Sequence, residues 1–547
     1  MLHRASTVSD GDQIDADVVI IGAGAAGISM ALALKDSGLK IVLLESGGDS
    51  YDDAMQDLYK GRLAGIPTEP LDVTRLRYFG GTTNHWSGWC RPLEPVDFET
   101  AHPWPFDRAH LDRYYEKAAA ICELGPARFD ALEFWQGQKG GEALKALATN
   151  PDKLTTAVFQ ISPPTHFGER YADALAAAAN VTVLLDASVL SLTPAADSDA
   201  NQRRKAIAGV AARTADGRRF AVNGRVVVVA TGGLETPRLL LQSTAVHPAG
   251  AGNEHDLVGR YFQDHPWIAR SAYISFTRPD TNLPLYFQEN SLPGATIFGT
   301  LASTPKARAL HDIGGFRIWL APSNRSQLGL DSARQLADAA SEGRLPDGLW
   351  NHIGNIFGDL DQLADRGYRA AFGSKDSPFV DPPKPDDPIV GAWVDLNFEQ
   401  TPNPESRVSL DQSAGAVDAF GQRRIVLDWR MENRDRRTAS RALALLAEEV
   451  GRLGIGRMQL LEGATELDKR WPARLTGSRH HMGTARMAND PALGVTDANG
   501  RVHSTENLYV CGSALFPTSG YANPTLTIVA LALRQAEHLA ERLTKQG

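Results

Sequence analysis

Cysteine and clustered positive charge are scarce in this sequence of 547 residues. The three cysteines, Cys90, Cys122 and Cys511, are far apart and form no C-x-x-C pair. This usage favours a reducing, cytoplasmic compartment over a disulfide framework, and no metal site is predicted. The net charge is −9, and lysine and arginine form no block. A nucleic-acid partner, which would need a clustered basic surface, is therefore not expected.

No segment has the composition of a signal peptide or a membrane anchor. Residues 1–17 are polar and contain no apolar signal-peptide core. The uncharged run Val18 to Leu34 approaches the length of a membrane span, but its glycines favour a strand, a turn and a helix. No membrane span is expected, and the chain length predicts at least two domains.

The N-terminal segment predicts a strand, a helix and a second strand. The apolar run Asp17 to Gly22 ends in glycines, Ala25 to Ser37 follows as a helix, and Lys40 to Glu45 is again apolar. This succession is a βαβ unit, so an α/β domain begins here. Related elements are predicted downstream, namely a helix over 169–179, strands over 181–185 and 225–230, and a last helix over 524–543.

The middle of the chain predicts a different kind of sheet. Trp393 to Gln400 alternates apolar and polar residues, and Arg423 to Trp429 is also typical of a strand. Such alternation is found in antiparallel sheets with one wetter face. The proline-rich tract Phe379 to Val390 is predicted to be a loop, and residues 270–390 carry no motif that indicates a function.

The turn after the first strand carries the pattern Gly22-x-Gly24-x-x-Gly27. Glycines at this spacing permit a tight turn, a close approach of backbone to a pyrophosphate, and close packing of helix on sheet. The helix N-terminus then presents its positive dipole end to the phosphates. Glu45 ends the second strand, where a carboxylate can accept hydrogen bonds from ribose hydroxyls. Together these features predict a dinucleotide site, which NAD and FAD enzymes share.

Five segments together resemble the glucose–methanol–choline (GMC) oxidoreductases, in order and spacing, across nearly the whole chain. They are the N-terminal βαβ unit, Gly80 to Trp86 (GGTTNHW), Thr231 to Pro237 (TGGLETP), His480 to Thr484 (HHMGT) and Phe516 to Thr525 (FPTSGYANPT). Gln400 to Val408 also resembles a family segment that leads into the substrate domain. The resemblance is to the branch with pyranose oxidase, fructose dehydrogenase and glucoside 3-dehydrogenase, and it implies FAD as the cofactor.

The expected fold class is α/β, with a Rossmann-like FAD-binding domain and a discontinuous α+β substrate-binding domain that carries an antiparallel sheet. Residues 1–115, 160–268 and 474–547 are expected to form the FAD-binding domain. Residues 116–159 and 269–473 are expected to form the substrate-binding domain and its loops.

The resemblance also implies which residues lie around the flavin. In choline oxidase and pyranose oxidase types, a histidine at the position of His85 carries a covalent bond to the flavin, whereas related dehydrogenases can hold FAD without one. Val189 resembles a position whose backbone contacts adenine. The full set expected to bind FAD is Gly22, Gly24, Ala25, Ala26, Gly27, Glu45, Gly80, Gly81, Thr83, Asn84, His85, Trp86, Val189, Thr231, Gly232, Gly512, Asn523, Pro524 and Thr525.

Alcohol oxidation needs a base for the hydroxyl proton and an acceptor for hydride. The family takes the base from His-x-x-Gly-Thr, and His480 stands at that spacing, whereas His481 is expected to support it from outside the substrate pocket. Asn523 is expected to be the partner that fixes the hydroxyl. An asparagine before Pro524 is also an ordinary N-cap arrangement, so the two roles compete.

The expected activity is FAD-dependent oxidation of a secondary hydroxyl of a sugar or glycoside. Tryptophan and tyrosine faces near the motifs, at Trp86, Trp89, Trp104 and Tyr521, can stack on a pyranose ring. Oxidation of a non-sugar alcohol and a hydroxynitrile-lyase-like activity on the same fold are the alternatives. Electrons would pass to oxygen or to a separate acceptor. A small partner subunit, self-association, and periplasmic location through export with that partner are left open.

Overall fold

The computed structural model describes residues 2–196, 205–278, 281, 283–324, 328–341, 349–358, 388–461, 471 and 475–545. Within these residues the strands form two large sheets and one small one. The helices are Ala25–Leu34, Asp53–Asp57, Asp112–Ile121, Leu132–Gln136, Phe167–Ala177, Gly232–Gln242, Pro284–Phe287, Pro305–His311, Leu328–Ser341, Leu349–Gly358, Asn433–Leu453 and Thr525–Thr544.

The first large sheet has a parallel core. In spatial order its strands are Leu2–Arg4, Val181–Leu185, Ile41–Leu44, Gln13–Ile21 and Arg219–Val229, and Leu508–Val510 pairs in parallel beyond the carboxyl half of the last of these. Ile207–Thr214 and Ala187–Pro194 extend the sheet as antiparallel strands. Valines 226–229 are fully buried, as is usual for the strands of a parallel core.

The helix Ala25–Leu34 explains how the N-terminal unit is held. Nearly all its side chains are apolar and buried, so it needs cover on two sides. One side lies on the first sheet, and the other packs against Thr525–Thr544, which in turn packs against Asp112–Ile121. The two ends of the chain therefore meet at the glycine turn.

The second large sheet is antiparallel throughout. Its strands are Trp89–Cys90, Leu154–Ile161, Pro266–Phe276, Asn290–Leu292, Ala295–Ser303, Phe316–Asn324, Ile389–Phe398, Gly456–Leu460 and Leu475–Gly477. The helix Asn433–Leu453 covers it with buried residues three or four apart, among them Ala439, Leu443 and Leu446. The small sheet joins Arg407–Leu410 and Ile425–Trp429 to Arg62–Gly65.

The predicted fold class is confirmed, with some changes in the elements. The strand predicted from Asp17 begins at Gln13, and the helix predicted to reach Ser37 ends at Leu34. The predicted strand over 423–429 belongs to the small sheet and not to the antiparallel one. Most of the predicted loop 379–390 lies outside the described residues, and its last two residues begin the strand Ile389–Phe398.

The proposed division into domains follows the two large sheets only approximately. Its boundaries at 159/160 and 268/269 pass through the strands Leu154–Ile161 and Pro266–Phe276 of the antiparallel sheet. The strands Trp89–Cys90 and Leu475–Gly477 also join that sheet from segments expected in the FAD-binding domain. Among the described residues, no helix is both long enough and apolar enough to cross a membrane.

Candidate active site

A cavity of about 450 Å³ runs between the two large sheets and collects most of the predicted site residues. Its walls include the glycine turn, Glu45, the segment after Gly80, Val189, Thr231, Gly232, Gly512, His480 and the start of the last helix. Three predicted residues, Gly27, Gly80 and Asn84, do not line it. A volume of this size is typical of ligand sites.

Each glycine of the turn has a distinct steric reason. Gly22 has φ of +98°, and a Cβ there would lie 2.8 Å from the carbonyl oxygen of Ala230. A Cβ on Gly27 would lie 2.0 Å from the carbonyl oxygen of Gly22, so this glycine lets the helix pack under the turn. A Cβ on Gly24 would meet no atom within 4 Å, because this side of the turn opens into the cavity. The turn therefore fits the close approach of a dinucleotide.

Glu45 ties the turn to the end of the second strand. Its two carboxylate oxygens accept the backbone N–H groups of Ala23, at 2.9 Å, and of Gly47, at 3.0 Å. The side chain is buried and burial raises its pKa, although these hydrogen bonds oppose the rise. Each oxygen keeps one further acceptor position, so the carboxylate can still receive ribose hydroxyls from the cavity.

The segment from Gly80 lies directly on the glycine turn. The N–H of Gly80 donates to the carbonyl of Ala23 at 2.9 Å, and a Cβ on Gly81 would lie 3.1 Å from the Cα of Gly24. Thr83 donates its hydroxyl to the carbonyl of Gly80 at 2.7 Å. Asn84 donates its amide to the carbonyl of Phe79 at 2.9 Å, which explains why its side chain holds the loop and does not face the cavity.

His85 and Trp86 differ in how firmly they are held. The Trp86 indole donates to the carbonyl of Thr165 at 2.9 Å, and its ring lies edge-on to Phe167. His85 ends the short helical turn with its side chain exposed to the cavity. Partial desolvation, and then the nearby Arg479 cation, lower the pKa of His85, so its imidazole is neutral near pH 7.

The two catalytic candidates, His480 and Asn523, meet in the part of the cavity that lies beyond the glycine turn. The Nδ2 atom of Asn523 lies 3.2 Å from Nε2 of His480, and the Oδ1 atom of Asn523 is buried without a partner among the described residues. The last helix begins at Thr525 with Pro524 in the N-cap position, and no side chain of the described residues caps it. The expected competition between a capping role and a site role is thus absent, because the amide of Asn523 faces His480.

His481 points elsewhere than His480. Its ring lies near Phe262, with 5.8 Å between ring centroids, and its backbone carbonyl accepts the hydroxyl of Ser513 at 2.7 Å. Burial lowers the pKa of His481 to about 3, with smaller effects from two arginines. His481 also lines the cavity, but no contact joins it to Asn523 within the described part of the chain.

Sequence reasoning missed two buried residues next to His480. Asp264 accepts, through Oδ1, the N–H groups of His265 at 2.7 Å, Ser478 at 3.1 Å and His480 at 2.9 Å. Burial raises its pKa to about 6 against these hydrogen bonds. His265 itself places Nδ1 at 2.8 Å from Nδ1 of His480. The only sequence signal was a histidine between an acid and a proline, which by itself indicates no chemistry.

Behind the cavity wall at Trp89, and close to the histidines, lies the buried cation of Arg317. The Nε atom of Arg317 donates to Asn397 at 3.2 Å, and its buried Nη1 has no partner among the described residues. The guanidinium lies 5.3 Å from the ring of Trp89, which lines the cavity and contacts the partly exposed ring of Trp319.

Of the other aromatic residues expected near substrate, two belong to the interior. Trp104 is buried and donates to the hydroxyl of Thr518 at 2.8 Å, and Tyr521 is buried and bonded to Glu94.

Three family profiles match the chain. Profiles described as GMC oxidoreductase match residues 402–532 and 169–267, and one described as FAD binding domain matches residues 17–51. The 17–51 range contains the glycine turn and Glu45, and the 402–532 range contains His480 and Asn523. The three ranges thus cover both ends of the cavity.

Several curated proteins are similar to the chain. Paromamine 6'-oxidase of Streptomyces fradiae is 26% identical over 591 residues, which cover 100% of this chain and 95% of the relative. 2-Methyl-1,2-propanediol dehydrogenase of Mycolicibacterium austroafricanum is 24% identical, with 96% of each chain covered. A C-glycoside 3-oxidase of Microbacterium trichothecenolyticum is 32% identical over 161 residues, covering 29% of this chain and 30% of the relative.

Among solved structures, pyridoxine 4-oxidase from Mesorbium loti is similar over 95% of this chain and 98% of its own. The TM-score is 0.53 at 16% identity, so this likeness shows the fold alone.

Proposed function

This chain belongs to the GMC oxidoreductase family and is an FAD-dependent enzyme acting on CH–OH groups, and we propose that it oxidises a secondary hydroxyl of a sugar or glycoside. The observation that carries the proposal is the pair His480–Asn523 at the cavity wall, where Oδ1 of Asn523 lies beside the base with no partner in the described part of the chain. We assign His480 the role of base and Asn523 that of the group that positions the hydroxyl.

The residues around the glycine turn fit the cofactor. The dinucleotide would be held by the carboxylate of Glu45 and by the backbone at Gly24 and Gly232, where a Cβ would meet no atom of the described residues within 4 Å. His85 would lie against it. When bound, FAD supplies the acceptor for the hydride that leaves the carbinol carbon.

His480 is suited to take the hydroxyl proton. Burial and then its neighbours His265 and Arg317 lower its pKa well below the ordinary value, so the imidazole is unprotonated near pH 7. The substrate hydroxyl replaces the amide of Asn523 as donor to Nε2. The amide then donates to the carbinol oxygen while Oδ1 accepts a neighbouring hydroxyl, which suits the vicinal diol of a sugar.

The Arg317 guanidinium, next to the cavity-lining ring of Trp89, supports a polar substrate over an apolar one. A buried N–H without a partner costs free energy unless a ligand supplies an acceptor. Trp89 and Trp319 add ring faces of the kind that stack on the C–H face of a pyranose. Two relatives carry names that refer to glycosidic substrates, paromamine and C-glycosides.

A non-sugar alcohol is the second candidate. The relative named 2-methyl-1,2-propanediol dehydrogenase aligns over nearly the whole chain. Its named substrate is a small diol, which could use the same two contacts of Asn523 but would leave the ring faces and Arg317 without partners.

Anaerobic bleaching of the flavin separates these candidates. The purified enzyme should be reduced by glucose, a methyl glucoside, an aminoglycoside or a C-glycoside far faster than by 2-methyl-1,2-propanediol, benzyl alcohol or choline. Fast bleaching by simple alcohols with no response to any sugar would overturn the substrate class. A hydroxynitrile-lyase-like activity would instead split an added cyanohydrin into an aldehyde and hydrogen cyanide without bleaching the flavin.

Two further properties are proposed with the substrate. Reoxidation of the reduced enzyme by air, compared with reoxidation by a quinone, tells oxygen from a separate acceptor. The three cysteines are free and buried, which supports the cytoplasm over the periplasm. Fractionation of the native host tests that location, and recovery from the periplasm with a bound partner subunit would contradict it.

A further inference from the structure

His265 is a buried histidine that contacts both the base and a peptide carbonyl. Its ring is fully buried and stands nearly perpendicular to that of His480, at an interplanar angle of 82°. Nδ1 lies 2.8 Å from Nδ1 of His480, and Nε2 lies 3.3 Å from the carbonyl oxygen of Ser519. The mechanism above uses His480 and leaves the purpose of His265 open.

The carbonyl determines where the protons of the two rings are. A carbonyl oxygen only accepts, so Nε2 of His265 must carry the proton of that ring. In a neutral imidazole the other nitrogen is then an acceptor. Nδ1 of His265 therefore accepts from Nδ1–H of His480, which leaves Nε2 of His480 without a proton.

We propose that His265 is a positioning residue that holds His480 in the tautomer with its proton on Nδ1, so that the bare Nε2 faces the substrate hydroxyl. The proposal rests on the role of His480 as base in the proposed function. The chain of contacts runs from the carbonyl of Ser519 through His265 and His480 to the amide of Asn523.

Three observations support this arrangement. The Asn523 amide nitrogen, a donor, faces Nε2 of His480, which fits an unprotonated nitrogen there. Asp264 accepts the backbone N–H groups of both histidines through one oxygen, which holds the two backbones side by side where their rings can meet. Burial lowers the pKa of His265 to about 3, so it carries a single ring proton near pH 7.

This series of hydrogen bonds ends at the carbonyl of Ser519, which cannot take up a proton. The series therefore orients His480 and does not carry protons away. Replacing the histidine with leucine would remove the acceptor and leave Nδ1–H of His480 unpaired. Asparagine would restore a side-chain oxygen near the position of Nδ1. The pair His265→Leu and His265→Asn therefore isolates the acceptor from the volume of the ring.

The test is ¹⁵N nuclear magnetic resonance of histidine-labelled, FAD-loaded enzyme, with the His480 signals assigned through His480→Gln. The proposal expects wild type to show protonated Nδ1 and bare Nε2 on His480 without any substrate present. A proton on Nε2 of His480 in wild type would overturn it. Because this measurement needs no substrate, its result is independent of whether sugars are oxidised.

Rates of flavin reduction by the fastest substrate of the panel provide the second readout. His265→Leu should slow reduction by about 10–100-fold, as loss of an orienting partner does elsewhere, and His265→Asn should restore most of it. The control His538→Leu, which alters a half-buried histidine on the last helix, should leave the rate and the His480 signals unchanged. Equal slowing by asparagine and leucine, in folded and flavin-loaded protein, would overturn the proposal.

Discussion

In the glycine turn, the contacts that shape Gly22 and Gly27 come from the turn itself and from the end of the strand beside it, whereas the side chains that contact His480 come from two distant segments. Steric limits determine which residues the glycine turn accepts, since Gly22 and Gly27 stand where a Cβ has no room. Hydrogen-bond donors and acceptors determine which residues the surroundings of His480 accept. Changes in the turn should therefore affect folding and cofactor binding, while changes around His480 should affect chemistry in a folded protein.

The largest effect is expected at the base. His480→Ala should slow flavin reduction by about 10²–10⁴-fold, the usual contribution of a positioned general base. His481→Ala, the matched control next to it in the chain, should cost much less, because its ring lies near Phe262. Stopped-flow reduction of folded, flavin-loaded variants measures both, and the reverse order would show that the base is assigned to the wrong histidine.

The glycine turn offers a pair that separates folding from cofactor binding. Gly27→Ala places a methyl group 2.0 Å from the carbonyl oxygen of Gly22, so the free energy of unfolding should fall by about 1–3 kcal/mol, as in other overpacked sites.

Gly24→Ala places its methyl group in the open cavity, so the apoprotein should unfold at nearly the same denaturant concentration while its FAD content falls. Denaturant unfolding and flavin absorbance provide the two readouts. Normal FAD binding by Gly24→Ala would contradict the assignment of the backbone at Gly24 to the cofactor site.

Loss of the Arg317 cation should have an intermediate effect on turnover. Arg317→Gln should lower kcat/KM for sugars by about 10–100-fold, as expected when a charged hydrogen bond of about 1.5–3 kcal/mol is lost. In the same variant, kcat/KM for small alcohols should fall much less. Equal losses of kcat/KM for sugars and for small alcohols would mean that Arg317 does not contribute to sugar recognition.

The pH dependence of kcat/KM tests the electrostatic surroundings of His480. The base works only when unprotonated, and the pKa of His480 is lowered by burial and by His265, Arg317 and His481. The acid limb of kcat/KM should therefore lie below pH 6.5, the ordinary histidine pKa. Removal of the Arg317 cation raises the pKa of His480, so the limb should move to higher pH in Arg317→Gln. A limb that does not move would contradict the electrostatic coupling.

The smallest effect on rate is expected at His85, which contacts the cavity from the loop over the glycine turn. If the flavin bond forms there, acid precipitation should leave the yellow colour in the wild-type pellet and release it from His85→Ala. Release of all flavin from the wild type would rule the bond out, while the family assignment would stand.

The same contrast explains what could be predicted from the sequence. The strand, turn and helix around Gly24 are written in consecutive residues, and the predicted strand over 181–185 has the observed bounds. His480 and Asn523 could be chosen because local motifs mark them. The contact between His265 and His480 could not be predicted, since the two residues are 215 positions apart and meet only when the strand Pro266–Phe276 pairs with Leu475–Gly477.

Other differences have local physical reasons. The last helix begins at Thr525, because Pro524 takes the N-cap position without a side-chain cap. Asn84 was expected to face the cofactor, but the nearby carbonyl of Phe79 captures its amide. Arg317 lies in a stretch without any motif, and its importance comes from the rings and the amide of Asn397 around it.

The most direct test of the central claim is anaerobic flavin reduction by a methyl glucoside carrying deuterium at one carbinol carbon at a time, the primary one included. The account predicts fast bleaching that slows when one secondary carbinol carbon bears deuterium, and that is largely lost in His480→Ala with every isotopologue. An unreduced flavin with all sugars, or slowing only when the primary carbinol carbon is deuterated, would contradict oxidation of a secondary sugar hydroxyl.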